Sequence, residues 1–219
     1  MKPYLALALF FAAQSLHADW VIVQKTNTAG AETPVTIKIK DNKIRNDMGD
    51  KMTVLLDADA GGAQMFMHDQ KKLIRMDAAA MKGMTAMAGK FLGDAAPEKP
   101  KATGEKVKLG EWDTEVYTWE SKIGTAKFYV AKDFPKYAEL NKVMDKIAKS
   151  MGNPMAAMFP SAADFPGMSV KSEMTMMGKV TTSELVSAKE EAVSADEFKA
   201  PEGYTEMKIP GFPGGGAPK

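Results

Sequence analysis

From Trp20 to Met76, apolar and polar residues alternate, and short polar turns interrupt the alternation. Val35, Ile37 and Ile39, for example, are separated by single polar residues, which is the period of a strand with one buried face. The links between such segments are too short for parallel crossovers, so the pattern predicts an antiparallel meander. The predicted strands are residues 20–25, 35–40, 44–48, 52–56, 65–68 and 73–76.

Two later segments have apolar residues spaced three and four apart, which predicts amphipathic helices. The first runs from Asp77, a suitable N-cap, to Leu92. The second begins at Pro135, which favours a first helical turn, and ends near Met151.

The rest of the chain completes the sheet. Residues 94–104 predict a polar surface loop. Residues 153–168 are apolar but contain three prolines, which predicts a nonhelical hydrophobic loop or a broken helix. Further strands are predicted at 106–112, 115–121, 126–131, 170–177 and 179–187, with a closing segment at 198–209 and a flexible tail at 210–219. About eleven strands and two helices predict one α+β domain over residues 19–209, a strongly curved antiparallel sheet with the helices on one face.

Residues 1–18 have the features of an export signal. Lys2 gives a positive start, residues 4–13 are apolar, and Ala18 offers a small residue for cleavage. This apolar run is too short to cross a bilayer, for which about 20 residues are needed. The sequence therefore predicts a periplasmic or secreted protein without a transmembrane segment.

Composition and motifs exclude several classes of function. The chain has no cysteine, which rules out disulfides, thiol nucleophiles and an acylated cysteine anchor, and its net charge of +1 argues against nucleic-acid binding. Asp57 and Asp59 begin like a calcium loop, but Gly61 and His68 occupy positions that need oxygen ligands. His68 has no serine-hydrolase or metalloprotease motif beside it. We therefore expect no enzyme, no metal and no cofactor.

Methionine is as frequent as glycine, with 18 of each. Thioether side chains fill irregular apolar space and line adaptable binding surfaces, and they are also soft ligands for Cu(I). Three interpretations stay open at this point: a groove for a lipid or other apolar ligand, a Cu(I) site with Met81, Met84 and Met87 of the first predicted helix as candidate ligands, and a filled core in an envelope scaffold. The candidate ligand-binding residues are Met81, Met84, Met87, Phe91, Met144, Ile147, Met151, Met155, Met158 and Phe159.

The run VTIKIKDNKIRNDMGDKMTVLLDADAGGAQMFMHDQKKLIRM and the ending FKAPEGYTEMKI resemble a family of exported bacterial proteins known only as a domain of unknown function. That family is similar to the periplasmic lipoprotein carriers and receptors of the LolA and LolB type. The resemblance implies an eleven-stranded half-barrel whose apolar concave face is partly closed by a helical lid, with Arg45 in contact with the lid. Because the chain has no cysteine to acylate, a LolB-like anchored receptor is disfavoured.

Overall fold

The computed structural model describes residues 19–81, 83, 86, 98–151 and 159–207, without the side chains of 146–151. The predicted export signal at 1–18 and the predicted tail at 210–219 lie outside these residues. Within them the chain forms one curved, unclosed sheet of twelve strands with two helices against it. The strands are β1 (Trp20–Thr28), β2 (Ala31–Lys40), β3 (Lys43–Met48), β4 (Met52–Asp57), β5 (Gly62–Met67), β6 (Lys72–Met76), β7 (Lys101–Leu109), β8 (Trp112–Ser121), β9 (Gly124–Ala131), β10 (Met168–Met176), β11 (Lys179–Glu190) and β12 (Thr205–Glu206).

The sheet consists of two meanders that meet at its middle. The strand order is β12-β6-β5-β4-β3-β2-β1-β11-β10-β9-β8-β7. The predicted meander over β1–β6 is confirmed, and β7–β11 form a second one. The two are joined where β1 pairs with β11, in a register that matches Trp20 with Glu190 and shifts between Val23 and Gln24. The shift places a β-bulge at the centre of the sheet, where bulges increase bending and twist.

Two helices lie between the strands in sequence. The first, α1, includes residues 78–81, 83 and 86, and the Asp77 carboxylate accepts a hydrogen bond from the backbone N–H of Ala80 at 2.8 Å, as the predicted N-cap requires. The second, α2, spans Tyr137–Met151. Both reach the same face of the sheet, because Met81 and Leu140 belong to one core cluster with Trp20 and Ile22.

Three predictions of local structure differ from the observed fold. Residues 101–104, predicted as loop, belong to β7, whose largely exposed polar residues occupy an edge of the sheet and so lack apolar alternation. The β7–β8 turn lies at Gly110 and Glu111 rather than at residues 113–114, because Gly110 supplies the positive φ of 57° that the tight turn needs. The twelfth strand pairs parallel with β6, so the sheet is not wholly antiparallel.

We call the side of β1–β6 that packs against the helices the helix face. Its side chains form three rows, and each row consists of residues that are direct partners on neighbouring strands. The buried row packs against the helices and contains Trp20, Ile39, Ile44, Leu56, Ala63 and Met76. The middle row contains Ile22, Ile37, Asn46, Val54, Met65 and Ile74. The end row, nearest the β1–β2 turn, contains Gln24, Val35, Met48, Met52, Met67 and Lys72. Apart from the buried Ile22, every member of the middle and end rows is half-buried.

The opposite face of this meander is covered by the strap, which we define as residues 193–207. The strap includes a short 3-10 turn at Ala195–Phe198 and then β12. Its Tyr204 packs against the cluster of Leu55, Phe66 and Leu73. The closing segment predicted at 198–209 is thus an element of the fold as far as residue 207.

Candidate functional site

A cavity of about 290 Å³ lies between the middle of the sheet and α2. Its floor is formed by β1, β2, β9, β10 and β11, and its roof by α2 and residues 160–167. The lining residues are Ile22, Gln24, Ile37, Phe128, Tyr137, Leu140, Asn141, Met144, Pro160, Ala162, Phe165, Gly167, Met168, Ser169, Val170, Ser172, Ser183 and Leu185. This composition, mainly apolar with a few converging polar groups, is typical of small-molecule sites.

The roof is held by a hydrogen bond between α2 and the segment that follows it. The hydroxyl of Tyr137 donates to the carbonyl oxygen of Ala162 at 2.5 Å. Burial, assisted by the negative charge of Asp164, raises the pKa of Tyr137, so the hydroxyl keeps its proton and remains a donor at neutral pH. Phe165 in the same segment packs against Phe128 of the floor, with the two rings tilted and their centroids 4.9 Å apart.

The polar groups of the cavity come from both walls. Ser183 donates to Gln24 Oε1 across a long 3.5 Å contact, and Ser172 is the direct cross-strand neighbour of Ser183. On the roof, the Oδ1 atom of Asn141 is buried and has no hydrogen-bond partner among the described residues. Because this atom has almost no accessible surface, it is enclosed by protein and does not border the open space of the cavity.

The cavity is continuous with the half-buried rows of the first meander. Ile22 and Ile37 belong both to the cavity lining and to the middle row, and Gln24 belongs to the end row. From there the middle and end rows continue across β3–β6, and we call this part of the two rows the strip. It contains six apolar side chains and two polar ones, Asn46 and Lys72. Four methionines share this strip: Met48, Met52, Met65 and Met67.

The predicted site residues fall in different places. Met81 is 6% exposed and packs in the core, Met144 lines the cavity, and Phe159 lies against Trp119 with ring centroids 5.9 Å apart. Ile147 and Met151 are in α2, but their side chains are not described. The remaining five lie outside the described residues: Met84, Met87, Phe91, Met155 and Met158.

Several lining residues were not predicted from the sequence. Gln24, Ser172 and Ser183 stand at inward positions of strands, where polar residues interrupt the apolar alternation. Asn141 adjoins Leu140 and lies three residues before Met144, so it borders the apolar stripe of α2. A search for polar residues at positions expected to be buried would have found these groups.

Arg45, expected to contact the helical lid, lies on the strap face instead. Its guanidinium pairs with Asp47 at 2.7 Å and donates from Nη1 to the carbonyl oxygen of Glu197 at 2.8 Å. Lys38 adds an ion pair with Glu197 at 2.9 Å. The placement follows from strand alternation, because Arg45 is flanked by Ile44 and Asn46 of the helix face.

The neighbours of Asp47 extend this polar network to His68. Thr53 donates to Asp47 Oδ1 at 2.6 Å and contacts His68 Nε2 at 2.9 Å, while His68 Nδ1 contacts the hydroxyl of Tyr204. Burial raises the pKa of Asp47, but the hydrogen bonds from Arg45 and Thr53 outweigh it and lower the pKa overall. Thr53 is only 1% exposed, and both ring nitrogens of His68 contact a hydroxyl group. The network therefore attaches the strap to the sheet.

The carboxylates of the acidic turn at residues 57–62 are paired with backbone groups of the turn and with side chains of the neighbouring β2–β3 hairpin. Asp57 Oδ1 accepts hydrogen bonds from the backbone N–H groups of Asp59 and Ala60, both at 3.0 Å, and Asn42 donates to Asp59 at 2.7 Å. These contacts describe a hairpin turn. Across the described ranges, no group of three or more His, Cys, Asp or Glu residues is placed to hold a metal ion.

None of the helices in the described part of the chain combines the length and the apolar character needed to cross a membrane.

Three solved structures can be compared with this fold. PNGF-II in its C2 crystal form has 12% identity and a TM-score of 0.44, over 87% of this chain and 30% of that one. The chain therefore spans less than a third of PNGF-II. The Mycobacterium tuberculosis lipoprotein LppX has 8% identity and a TM-score of 0.41, over 80% of this chain and 89% of that one. A DUF1329 family protein from Desulfovibrio piger has 8% identity and a TM-score of 0.35, over 84% and 90%.

No curated protein matches the chain. A family model described as a domain of unknown function, DUF4412, matches residues 21–204, which include β2–β11 and all of β1 except its first residue. The predicted membership of a family of unknown function is thus confirmed. The chain belongs to the DUF4412 family.

Proposed function

We propose that the protein is an exported, non-enzymatic binding protein that holds a lipid or another apolar ligand between its curved sheet and α2. The observation that supports this most directly is the continuity of the cavity with the half-buried, mainly apolar strip of β3–β6. Residues 1–18 provide the export signal, and the product acts in the periplasm or outside the cell.

The volume of the cavity and the length of the neighbouring rows suit a ligand with an acyl chain. The cavity volume lies near the lower end of the range of ligand pockets, roughly 300–1,000 Å³. An acyl chain that begins in the cavity and continues over the middle row would remove its own apolar surface and that of the strip from water. Each buried CH₂ contributes about 0.8 kcal/mol, so ten carbons provide a strong driving force.

The methionines of the strip favour a ligand of variable shape. Met48, Met52, Met65 and Met67 have unbranched, polarisable side chains that change rotamer easily. Surfaces of this kind accept ligands of different length and unsaturation, because the side chains repack around each ligand. We therefore propose selectivity for apolar chains as a class.

The experiment compares two adjacent residues of β11 that face opposite sides of the sheet. Ser183→Phe fills the cavity, whereas Thr182→Phe adds the same ring to the other face. Binding of the neutral dye Nile red is measured by fluorescence, and native mass spectrometry of protein purified without detergent detects a bound lipid. We expect Ser183→Phe to weaken dye binding at least tenfold and Thr182→Phe to leave it unchanged.

If Ser183→Phe and Thr182→Phe bind Nile red with equal affinity, the cavity is not the ligand-binding site. A protein that carries no lipid and takes up no dye would instead support the scaffold interpretation. Circular dichroism and thermal unfolding of both variants confirm that the comparison is made between folded proteins.

A second candidate function, Cu(I) binding through thioethers, is favoured by one specific arrangement. Met48 is the direct cross-strand partner of Met52, and Met52 is the direct partner of Met67. Directly opposed residues have Cβ atoms about 5 Å apart, so three thioethers on one face can converge on one soft ion. The predicted copper site on α1 involved Met81, Met84 and Met87, of which only Met81 is described.

Replacing methionine with leucine separates the two functions, because leucine preserves the apolar surface and removes the sulfur. Ag(I), a redox-stable substitute for Cu(I), is titrated in competition with a thioether chelator. If copper binds here, Met52→Leu lowers Ag(I) affinity at least tenfold, while Met76→Leu in the buried row changes nothing. Unchanged affinity in Met52→Leu would exclude this site.

A further inference from the structure

We propose that three neighbouring turns at one end of the sheet form a surface that docks on an anionic lipid membrane. The turns join β1 to β2, β8 to β9 and β10 to β11, at residues 28–31, 121–124 and 176–179, and we call them the tip. Exposed apolar side chains flanked by basic residues are typical of surfaces that contact membranes. The tip lies outside the cavity, and its docking does not depend on the proposed function.

The β10–β11 turn presents an apolar patch to solvent. Met177 is 93% exposed, more than any other large apolar residue that the structure describes, and Val180 in the same hairpin is 53% exposed. A Cβ atom added at Gly178 would meet no described atom within 4 Å, so the turn projects into open space. Single exposed apolar side chains are common on protein surfaces, but two on one projecting turn form a patch.

The backbone of this turn makes methionine an unfavourable choice for stability. Met177 has a φ of 49° and Gly178 a φ of 76°, and positive values at both central residues are those of a type I′ turn. Such turns favour Asn, Asp and Gly, because the left-handed backbone is costly for a residue such as methionine. An apolar side chain that stands here at a cost, and that faces solvent, indicates a role in binding.

The other two turns of the tip add apolar groups on either side of Met177. The β8–β9 turn is adjacent because Met176 and Gly124 are direct cross-strand partners, and it carries the half-buried Ile123. On the other side, β11 pairs with β1, whose turn to β2 carries the exposed Ala29. The apolar surface therefore extends across three neighbouring hairpins.

Basic side chains surround this apolar surface. Residues 120–127 and 175–180 contain three lysines and one glutamate, all of them exposed: Lys122, Lys127, Lys179 and Glu120. Anionic lipids attract lysines near a membrane surface, and the methylene stem of a lysine can lie against apolar groups while its charge stays in water. The charge of the tip is thus complementary to that of an anionic membrane.

The two other turns at this end of the sheet have a different character. Asp50 and Lys51 lie in the β3–β4 turn, and Asp69 and Gln70 lie in the β5–β6 turn, and all four are polar and exposed. Polar turns of this kind remain in water. The contrast assigns the membrane contact to the tip and not to the whole end of the sheet.

Docking at the tip places the strip beside the membrane. The end row lies at the same end of the sheet as the tip, and on β1 its Gln24 is four residues before Thr28. Four residues of a strand span about 13 Å. A lipid that leaves the bilayer therefore has a short path to the strip, a step that, unlike the docking, rests on the proposed function.

Sedimentation with sucrose-loaded vesicles tests the docking. One set of vesicles contains equal parts of phosphatidylglycerol and phosphatidylcholine, and the other contains phosphatidylcholine alone. The bound fraction of the protein is measured after centrifugation over a range of lipid concentrations. We expect at least tenfold stronger binding to the anionic vesicles, and we expect this binding to weaken as the salt concentration rises.

The variant Met177→Asn removes the apolar side chain and supplies a residue that the turn favours, so the variant should fold at least as well as the unaltered protein. Its matched control is Met207→Asn, at a methionine that is 37% exposed and lies beside the edge strand β12. We expect Met177→Asn to weaken binding to anionic vesicles at least fivefold and Met207→Asn to leave it unchanged. Without vesicles, both variants should take up Nile red as the unaltered protein does.

The basic residues are tested by two double variants. Lys122→Gln combined with Lys179→Gln lowers the positive charge of the tip, whereas Lys108→Gln combined with Lys189→Gln removes two exposed lysines from the opposite end of the sheet. We expect the first pair to weaken binding to anionic vesicles at least fivefold and the second pair to have a much smaller effect. Equal losses in the two pairs would show nonspecific attraction and would overturn the proposal.

Two further outcomes would also overturn docking by the tip: equal binding of Met177→Asn and the unaltered protein, or no sedimentation with anionic vesicles. Either result leaves the proposed function intact if Nile red is still taken up. Vesicle binding without any uptake of Nile red would refute the proposed function alone. Analytical ultracentrifugation identifies the remaining alternative. A dimer that Met177→Asn dissociates, without vesicle binding, would show that the tip contacts a second copy of the chain and that the membrane proposal is wrong.

Discussion

The two faces of strands β2–β6 are built from alternate residues of the same segments, yet they differ in how completely they are closed. The strap face buries Phe66 completely and pairs Asp47, Thr53 and His68 in one polar network. The helix face leaves its middle and end rows half-buried. Each face has one buried side-chain oxygen without a partner in the described structure, Asn46 Oδ1 on the helix face and Gln64 Oε1 on the strap face. The strap face is therefore closed by buried residues, whereas the helix face is closed only along its buried row, and its half-buried rows are the surface that we propose for the ligand.

The largest expected effect comes from truncating adjacent residues on the two faces. Phe66→Ala on the strap face removes a fully buried ring from the Leu55, Leu73 and Tyr204 cluster, and we expect it to lower the free energy of unfolding by about 3–5 kcal/mol. Met65→Ala on the helix face removes a half-buried side chain and should lower the free energy of unfolding by about 1 kcal/mol. Urea unfolding measures both, and equal losses would show that the two faces contribute equally.

A smaller effect is expected from Asp47, whose pKa is lowered by Arg45 and Thr53 despite its burial. A carboxylate with a lowered native pKa adds stability above its unfolded pKa of about 3.8, and that stability is lost as the pH falls through the native value. Asp47→Asn should therefore cost about 1–2 kcal/mol at pH 7, consistent with hydrogen bonds to a charged group. The difference from the unaltered protein should shrink below pH 4. Urea unfolding at pH 7, 4 and 3 measures this, and a difference independent of pH would contradict it.

The smallest expected effect has the opposite sign. Asn46→Leu replaces a side chain whose buried oxygen lacks a partner, so we expect stability to rise by up to about 1 kcal/mol. Thr53→Val, a similar exchange of a polar for an apolar side chain on the strap face, breaks the network and should lower stability. Thermal unfolding of the two variants gives the sign directly. A loss of stability in Asn46→Leu would mean that Asn46 is paired in solution.

Much of the fold could be predicted from the sequence wherever one face of a strand is buried. The alternation of Val35, Ile37 and Ile39 identifies β2, and the spacing of Leu140, Val143 and Met144 identifies α2. β7 was located less well, because a solvent-exposed edge strand has no buried face to impose alternation. The parallel strand β12 consists of two exposed residues, so its pairing depends on the strap being held in place by contacts distant in sequence.

The candidate site was predicted less well than the fold. Met144 could be predicted as a lining residue, because the cavity lies under the apolar stripe of α2. Met48, Met52 and Met67 are separated in sequence and meet only through strand register, which periodicity within one segment does not reveal. Asn141 and Ser183 likewise approach one cavity only after α2 has packed on the sheet.

The pairing of β1 with β11 has a consequence for how the chain reaches this structure. During synthesis β1 can pair on one side with β2 as soon as β2 has been made, but its other edge waits until Lys179–Glu190 arrives. Closing so long a loop is slow, and sheets dominated by distant pairings fold in milliseconds to seconds. Until then the β1 edge is open to pairing with other chains, a hazard for partly synthesised sheet proteins. We therefore expect refolding to be rate-limited by this central seam and to be accompanied by aggregation at high protein concentration.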